Sequence, residues 1–251
     1  MKVIIVLCMA ALSLISGCKK KDNSVLKLYC GAGLRRGVNV VKVEFEKKTG
    51  IKVEVDYGGS GIIIARAKEA KDGDLFMPGS ETYVDDLQSQ SGIVKSKHQV
   101  SYFVPTIIVQ KGNPKKIQSV KDFFTEGTTV ALGKAKACAI GKLSTKILGK
   151  SGLDRAKLDA KESLTVNELG IWVKMKDVDA SIVWDVIASN VSDSVDAIEI
   201  PKDDNVISTV SIAVLTTSKN MNSSEKFIEF ITSKEGQAIL REKKYRIESP
   251  Y

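Results

Sequence analysis

The sequence predicts an α/β protein with mainly parallel sheets, and three observations carry that prediction. Strand-like and helix-like runs alternate along nearly the whole chain, as they do where helices cover parallel sheets. The first three runs, residues 26–30, 35–48 and 51–55, make a β-α-β unit, whose parallel strands need a helical crossover. Roughly 230 residues follow an apolar N-terminal run, enough for two modest domains or one large one with a real core.

The N-terminus is set apart from this fold. Residues 1–17 read as a signal peptide: Lys2 is a basic start, 3–15 are mostly apolar, and Ser16-Gly17 are small. The apolar run is shorter than a bilayer needs, which argues against a transmembrane helix. The small pair ahead of Cys18 resembles a bacterial lipoprotein signal. That resemblance implies cleavage before Cys18, acylation of its thiol, and anchoring of an exported chain to the cell membrane, on its periplasmic or extracellular face. Residues 18–24, rich in lysine, then read as a polar tether. The formal charge of +8 comes from scattered lysines, so it reads as a solvated basic surface near anionic lipid, with no nucleic-acid partner.

The elements follow in order. The strand at 26–30 enters a turn of small residues, Gly31-Ala32-Gly33, before Leu34. Leu34, Val38, Val41 and Phe45 share one face of the helix at 35–48, which Thr49-Gly50 ends. Residues 51–55 alternate apolar and charged, a half-buried strand. Residues 62–70 favour a helix, and 73–78 read as a short strand closed by Pro78. Ser80 is the expected cap of a helix carrying Tyr83 and Leu87. Residues 102–110 read as a strand with Pro105 inside it, hence a bulge, an edge or a crossing point. Ser119-Val120-Lys121-Asp122 has the form of a capping box with a shorter acid. Further strands are expected at 128–132, 180–184, 197–200 and 210–215. Further helices are expected at 141–148, at 166–174 behind a Thr165 cap, at 223–232 and at 234–243.

The stretch Tyr57-Gly58-Gly59-Ser60-Gly61 stands between a strand and a helix. Backbone N–H groups and a hydroxyl at a helix mouth hold an anion without a cationic side chain; a plain turn with Ser60 as N-cap is the alternative. Other motifs fail. After Gly31 and Gly33 the third glycine, Gly37, comes one position late for a dinucleotide loop, and Ala139-Ile140-Gly141-Lys142-Leu143 lacks the hydroxyl after lysine that a P-loop needs. His98 is the only histidine, so no hydrolytic triad or zinc site is expected, and neither enzyme activity nor a cofactor. Cys30 and Cys138, left once Cys8 and Cys18 are set aside, either pair or stay as buried thiols.

The chain resembles the periplasmic molybdate/tungstate-binding proteins of ABC transporters. The resemblance runs through Leu26-Lys27-Leu28-Tyr29, Phe45 with Thr49-Gly50-Ile51-Lys52-Val53, Tyr57-Gly58-Gly59-Ser60-Gly61 and Gly73-Asp74-Leu75-Phe76. It continues through Val130-Ala131-Leu132-Gly133, Asp179-Ala180-Ser181-Ile182-Val183, and Ile212-Ala213-Val214-Leu215 with Lys219-Asn220. It implies a type II binding-protein fold of two lobes closing on ligand like a hinge. Lobe 1 would be residues 25–103 with 213–251 and lobe 2 residues 104–212, with crossings near Phe103-Val104 and Ser211-Ile212. It implies a monomer that hands its ligand to a membrane permease with its ATPase.

The resemblance also implies a cage of neutral donors around a tetrahedral oxyanion. Ser60 falls on a serine ligand, accompanied by the Gly59 and Gly61 amides, while Ile140 and Val166 fall on backbone-amide donors. Two positions depart. Gly33 stands where the family presents a serine, leaving the Leu34 amide, and Trp184 stands where it presents a tyrosine, offering an indole N–H. Arg35, at the start of the next helix, offers a bidentate contact to a phosphonate, sulfonate or carboxylate instead, or is simply solvated. Asp185 faces away, neutralises Arg35, or meets a cationic ligand group. A non-transport sensor lipoprotein on the same scaffold is the reading from another class.

Overall fold

A computed structural model describes residues 25–250; the signal at 1–17, Cys18 and the rest of the tether lie outside them. The chain opens with β1 (Val25–Gly31), a short 3-10 turn (Ala32–Leu34) and α1 (Arg35–Thr49). Val38, Val41 and Phe45 bury one face of α1, and the helix ends where Gly50, at φ 76°, takes the left-handed conformation and returns its N–H to Glu46. There follow β2 (Lys52–Gly58), α2 (Ser60–Ala70), β3 (Leu75–Met77), α3 (Thr82–Ser91) and β4 (Val94–Phe103). Beyond Val104 come β5 (Pro105–Gln110), β6 (Val130–Gly133), α4 (Ala139–Lys150), β7 (Ala160–Ser163) and α5 (Val166–Lys174). Then come β8 (Ala180–Trp184), α6 (Asp185–Asn190), β9 (Val195–Glu199), β10 (Ser208–Leu215), α7 (Met221–Thr232) and α8 (Lys234–Glu242).

The strands form two five-stranded sheets, in the orders β2-β1-β3-β10-β4 and β7-β6-β8-β5-β9. This is the expected two-lobed α/β architecture, but the pairing is mixed rather than mainly parallel. In the first sheet β1 runs parallel to β2 and β3, while β10 runs antiparallel to β3 and β4. In the second, β6 runs parallel to β7 and β8, while β5 runs antiparallel to β8 and β9. The antiparallel partners are the strands that carry the chain between the sheets. One passage lies at Val104. The other lies in residues 200–207, upstream of the expected Ser211-Ile212, because β10 pairs with β4 from its first residue, Ser208 opposite Phe103.

Several local expectations need correction. The predicted strand at 102–110 is two strands, the first starting at Val94, and Pro105 stands first in the second, where its missing N–H breaks no ladder. Glu81, not Ser80, occupies the N-cap of α3; the Ser80 hydroxyl meets Thr82 Oγ1 at 3.1 Å. Thr165 stands at the N-cap of α5 without a side-chain bond. The capping box forms as read, with Asp122 Oδ2 accepting from the Ser119 amide at 2.9 Å. Apolar packing covers both sheets and joins them in one continuous cluster. Phe45 meets Phe227 of α7 edge-on at 5.0 Å on the first, and Ile107, Leu132, Ile147 and Ile182 are fully buried around the second.

Candidate anion cage between the sheets

The parallel strands of both sheets end toward one another, and ligands of open α/β sheets bind outside such carboxyl ends. The ends of β1, β2 and β3 deliver Gly31, Gly58 and Gly79, and the end of β8 delivers Trp184. These residues line a small cavity of about 20 Å³, together with Gly33, Ser60, Cys138 and Val166. Three helices open on it: Ser60, Ala139 and Val166 line it and are the first residues of α2, α4 and α5. The positive dipole ends of helices from both sheets therefore converge on one point. The lining includes no charged side chain.

Ser60 is 3% exposed, and its Oγ accepts the Gly79 amide at 3.0 Å. It is the first helical residue, with Gly59 at the N-cap, so it does not cap the helix in the manner of the alternative reading. A hydroxyl that already accepts keeps its proton to donate. Gly59 and Gly61 serve a second purpose. A Cβ on Gly59 would lie 2.3 Å from the Ala137 and Leu164 carbonyl oxygens, and one on Gly61 would lie 1.9 Å from that of Lys136. The α2 start thus meets the second sheet's loops backbone to backbone. The Gly61 amide is spent there, donating to Ala137 O at 3.0 Å.

Gly33 and Trp184, the two departures, face each other. A Cβ at 33 would come within 3.1 Å of indole Cδ1, 3.3 Å of indole Nε1 and 3.2 Å of Val166 Cγ1. The space given up at 33 is therefore occupied by the indole. Trp184 is 2% exposed and stacks on Phe103 at 4.9 Å with 16° between the rings. Tyr245 completes this wall, donating its hydroxyl to Gly33 O at 2.9 Å. Burial pushes its phenol well above the ordinary value, so it stays protonated and donating.

Cys138, expected either to pair with Cys30 or to stay a buried thiol, lines the cavity. Burial pushes it up to about 11, while backbone N–H groups of Gly141, Ile140 and Val166 hydrogen-bond its sulfur and pull the other way. Of the two expected amide donors, Val166 lines the cavity and Ile140 does not. Cys30 and Cys138 are both free and buried.

The remaining site expectations fall outside the cavity. Leu34 is fully buried in the core. Arg35 is exposed, and its guanidinium lies 4.1 Å over the Tyr57 ring. Asp185 pairs with Arg246, whose Nε donates to it at 2.5 Å, and not with Arg35. It also exchanges bonds with the crossing residue: its amide donates to Val104 O at 2.8 Å, and its Oδ1 accepts the Val104 amide at 3.4 Å. Gly31, Gly79 and Ala139 were not anticipated, while Gly58 belongs to the Tyr57-Gly58-Gly59-Ser60-Gly61 stretch already read as a possible anion site. A glycine ending the strand paired with the one that Gly58 ends was the available signal for Gly31.

Comparison with known proteins gives a consistent picture. The profile of a family described as bacterial extracellular solute-binding protein matches residues 26–246. A Haemophilus influenzae protein, whose name says no more than binding protein, is 34% identical over 213 residues, covering 84% of this chain and 86% of its own. Among solved structures, the periplasmic molybdate-binding protein of Azotobacter vinelandii superposes with a TM-score of 0.78 at 16% identity, covering 89% of this chain and all of its own. The sulfate-binding protein SubI of Mycobacterium tuberculosis H37Rv also gives 0.78, at 20% identity, over 91% of this chain and 88% of its own. At these identities the two structures speak for the fold.

Proposed function

The chain belongs to the bacterial extracellular solute-binding protein family, and we propose that it captures a small tetrahedral oxyanion of the molybdate/tungstate type for an ABC importer. It is a binding component of transport and not an enzyme. One observation carries the ligand class: three helix N-termini, a serine hydroxyl and an indole converge on a cavity with no charged side chain in its lining. Such a cage supplies donors only. It suits a fully deprotonated oxyanion, because a protonated one brings an O–H with no acceptor to meet it, and an unmet buried donor costs about 1–3 kcal/mol.

The closed space of about 20 Å³ has room for about one water molecule. A tetrahedral anion enters only when the sheets part, and the crossings at Val104 and at 200–207 are the hinge. Around the cleft, closure is held by the Gly61–Ala137 bond, by Lys142 at 3.6 Å from Asp86, and by Arg36 with Asn190. Lobe 1 is then residues 25–103 with α7, α8 and β10, and lobe 2 the segment between the crossings. Cys18, acylated after cleavage of residues 1–17, is the proposed membrane anchor.

The test is a melting-temperature panel of molybdate, tungstate, sulfate, phosphate and a simple phosphonate. Ligand at about a hundredfold over its Kd stabilises by about 2.7 kcal/mol, a shift of roughly 5–10 °C at this size. Molybdate and tungstate are expected to give that shift, in the native chain and in Arg35→Ala alike. A flat response to both, or a phosphonate response lost in Arg35→Ala, overturns the reading.

A further inference from the structure

A cavity of about 430 Å³ lies away from the cage, beside the crossings. That is within the usual range for small-molecule sites, about 300–1,000 Å³. Its walls come from both halves of the chain: Val104 and Pro105 at one crossing, Ala188 and Ser189 of α6, and Arg246 with Pro250 from the segment after α8. Ala197, Glu199 and Ile200 close the side next to the other crossing.

Most polar groups here are committed. The Asn205 amide donates to Pro105 O at 2.9 Å, Thr106 donates to Ile198 O at 2.8 Å, and Ser192 donates to Ser189 O at 3.1 Å. Asp185 is engaged by Val104, Val186 and Arg246. Two charged side chains keep groups to spare. Arg246 spends only its Nε, on Asp185, so both terminal guanidinium nitrogens stay available on a side chain 51% exposed. Glu199 is exposed, and its carboxylate makes no hydrogen bond or ion pair among the described residues. A basic chain of net charge +8 with 38 Lys and Arg leaves this carboxylate without a cation.

We propose that this cavity is a second ligand site, for a small zwitterion with an apolar body: its carboxylate on Arg246, its ammonium on Glu199, and its body against Val104, Pro105, Ala188 and Ile200. The forked guanidinium suits a carboxylate. Because the walls belong to both halves and include the crossing, occupancy is linked to the angle between the sheets, and any effect on the cage is reciprocal.

The experiment titrates the purified protein with 6-aminohexanoate, hexanoate and hexylammonium, following backbone amide NMR signals of Ala188 and Ala197. The expected result is saturable binding of 6-aminohexanoate, with hexanoate and hexylammonium each at least about tenfold weaker. Glu199→Gln removes the ammonium partner and Ser189→Phe fills the cavity from an exposed helix position. Each should weaken 6-aminohexanoate at least about tenfold. No saturable shift with 6-aminohexanoate at millimolar concentration, equal binding of the three probes, or indifference to both substitutions overturns the proposal. Molybdate binding in Glu199→Gln stays at the native value, so failure here is distinguishable from failure of the cage.

Discussion

If Gly33 exists to make room for Trp184, restoring the serine that the resemblance places at 33 should be harmful alone and tolerated when the indole is reduced. In Gly33→Ser the new Cβ meets the indole at 3.1 and 3.3 Å and Val166 at 3.2 Å, all tighter than ordinary contact. Neither neighbour moves freely: Trp184 is stacked on Phe103 and Val166 is 3% exposed. Overpacking of this kind costs about 1–3 kcal/mol. Trp184→Tyr alone shrinks the ring and weakens its stack, which is worth about 0.5–1.5 kcal/mol beyond burial. The double substitution relieves the crowding with the space vacated, so it should be better than the sum by about 0.5–3 kcal/mol, the range for residues in contact. Urea unfolding of the four proteins measures the cycle, by far-ultraviolet circular dichroism since fluorescence changes with Trp184. Additivity to within about 0.3–0.5 kcal/mol would refute the reasoning.

Three further outcomes follow from single groups. Ser60→Ala removes the donor into the cage and orphans the buried Gly79 amide, so molybdate affinity should fall by about 1–3 kcal/mol, the range for hydrogen bonds to charge; an unchanged Kd by calorimetry rules out Ser60 as a ligand. Asp122 is held below the ordinary carboxylate value, first by the Gln118 amide and then by Ser119. A depressed folded value means its contribution is present above the unfolded value of 3.8 and fades as pH falls through the folded one. Native and Asp122→Asn proteins should therefore differ in urea midpoint at pH 7 and converge in strong acid; a constant gap would contradict this. The Cys138 thiol, at about 11 against an ordinary 9.0, carries about 100-fold less thiolate at pH 8 than a free cysteine. Iodoacetamide should label it only after unfolding, and labelling of the folded protein at the free-thiol rate would show the burial is wrong.

What the sequence disclosed was what periodicity and capping chemistry encode. The residues of α5 and β8 came out to the residue, and the Ser119–Asp122 box formed as spelled. The start of β4 was illegible because Lys95, Lys97 and His98 lie at a sheet edge, where one long strand can stay polar and still pair with β10. Short α6 follows β8 without any intervening turn residue. The mixed pairing was hidden for another reason: strand direction is set by which sheet the chain returns to, and periodicity is blind to that. In the cage, Ser60 could be read because a hydroxyl is a side chain. Gly31, Gly79 and Ala139 could not, since any residue has an amide. The resemblance supplied Trp184 as a departure, but only coordinates show that Gly33 and Trp184 are one adjustment rather than two.

That adjustment ties the cage to the crossing. Trp184 ends β8, walls the cavity and stacks on Phe103, the last residue before Val104. The next residue, Asp185, bonds Val104 through its amide and its carboxylate and reaches across to Arg246. On the proposed reading, a ligand pressing on the indole would act one residue from the groups at the proposed hinge. Ser60 sits differently, on α2, with its bond to Gly79 staying inside the first lobe. Loss of Ser60 removes a donor and leaves closure alone, whereas a change at Trp184 alters the donor, the available volume and the support of the crossing together. A larger, stacked donor at this position makes closure depend on how the anion seats against the ring. On the proposed oxyanion reading, anions that differ little in charge but in radius would be separated by how far the sheets can close over them, a discrimination that a neutral set of hydrogen bonds alone supplies poorly.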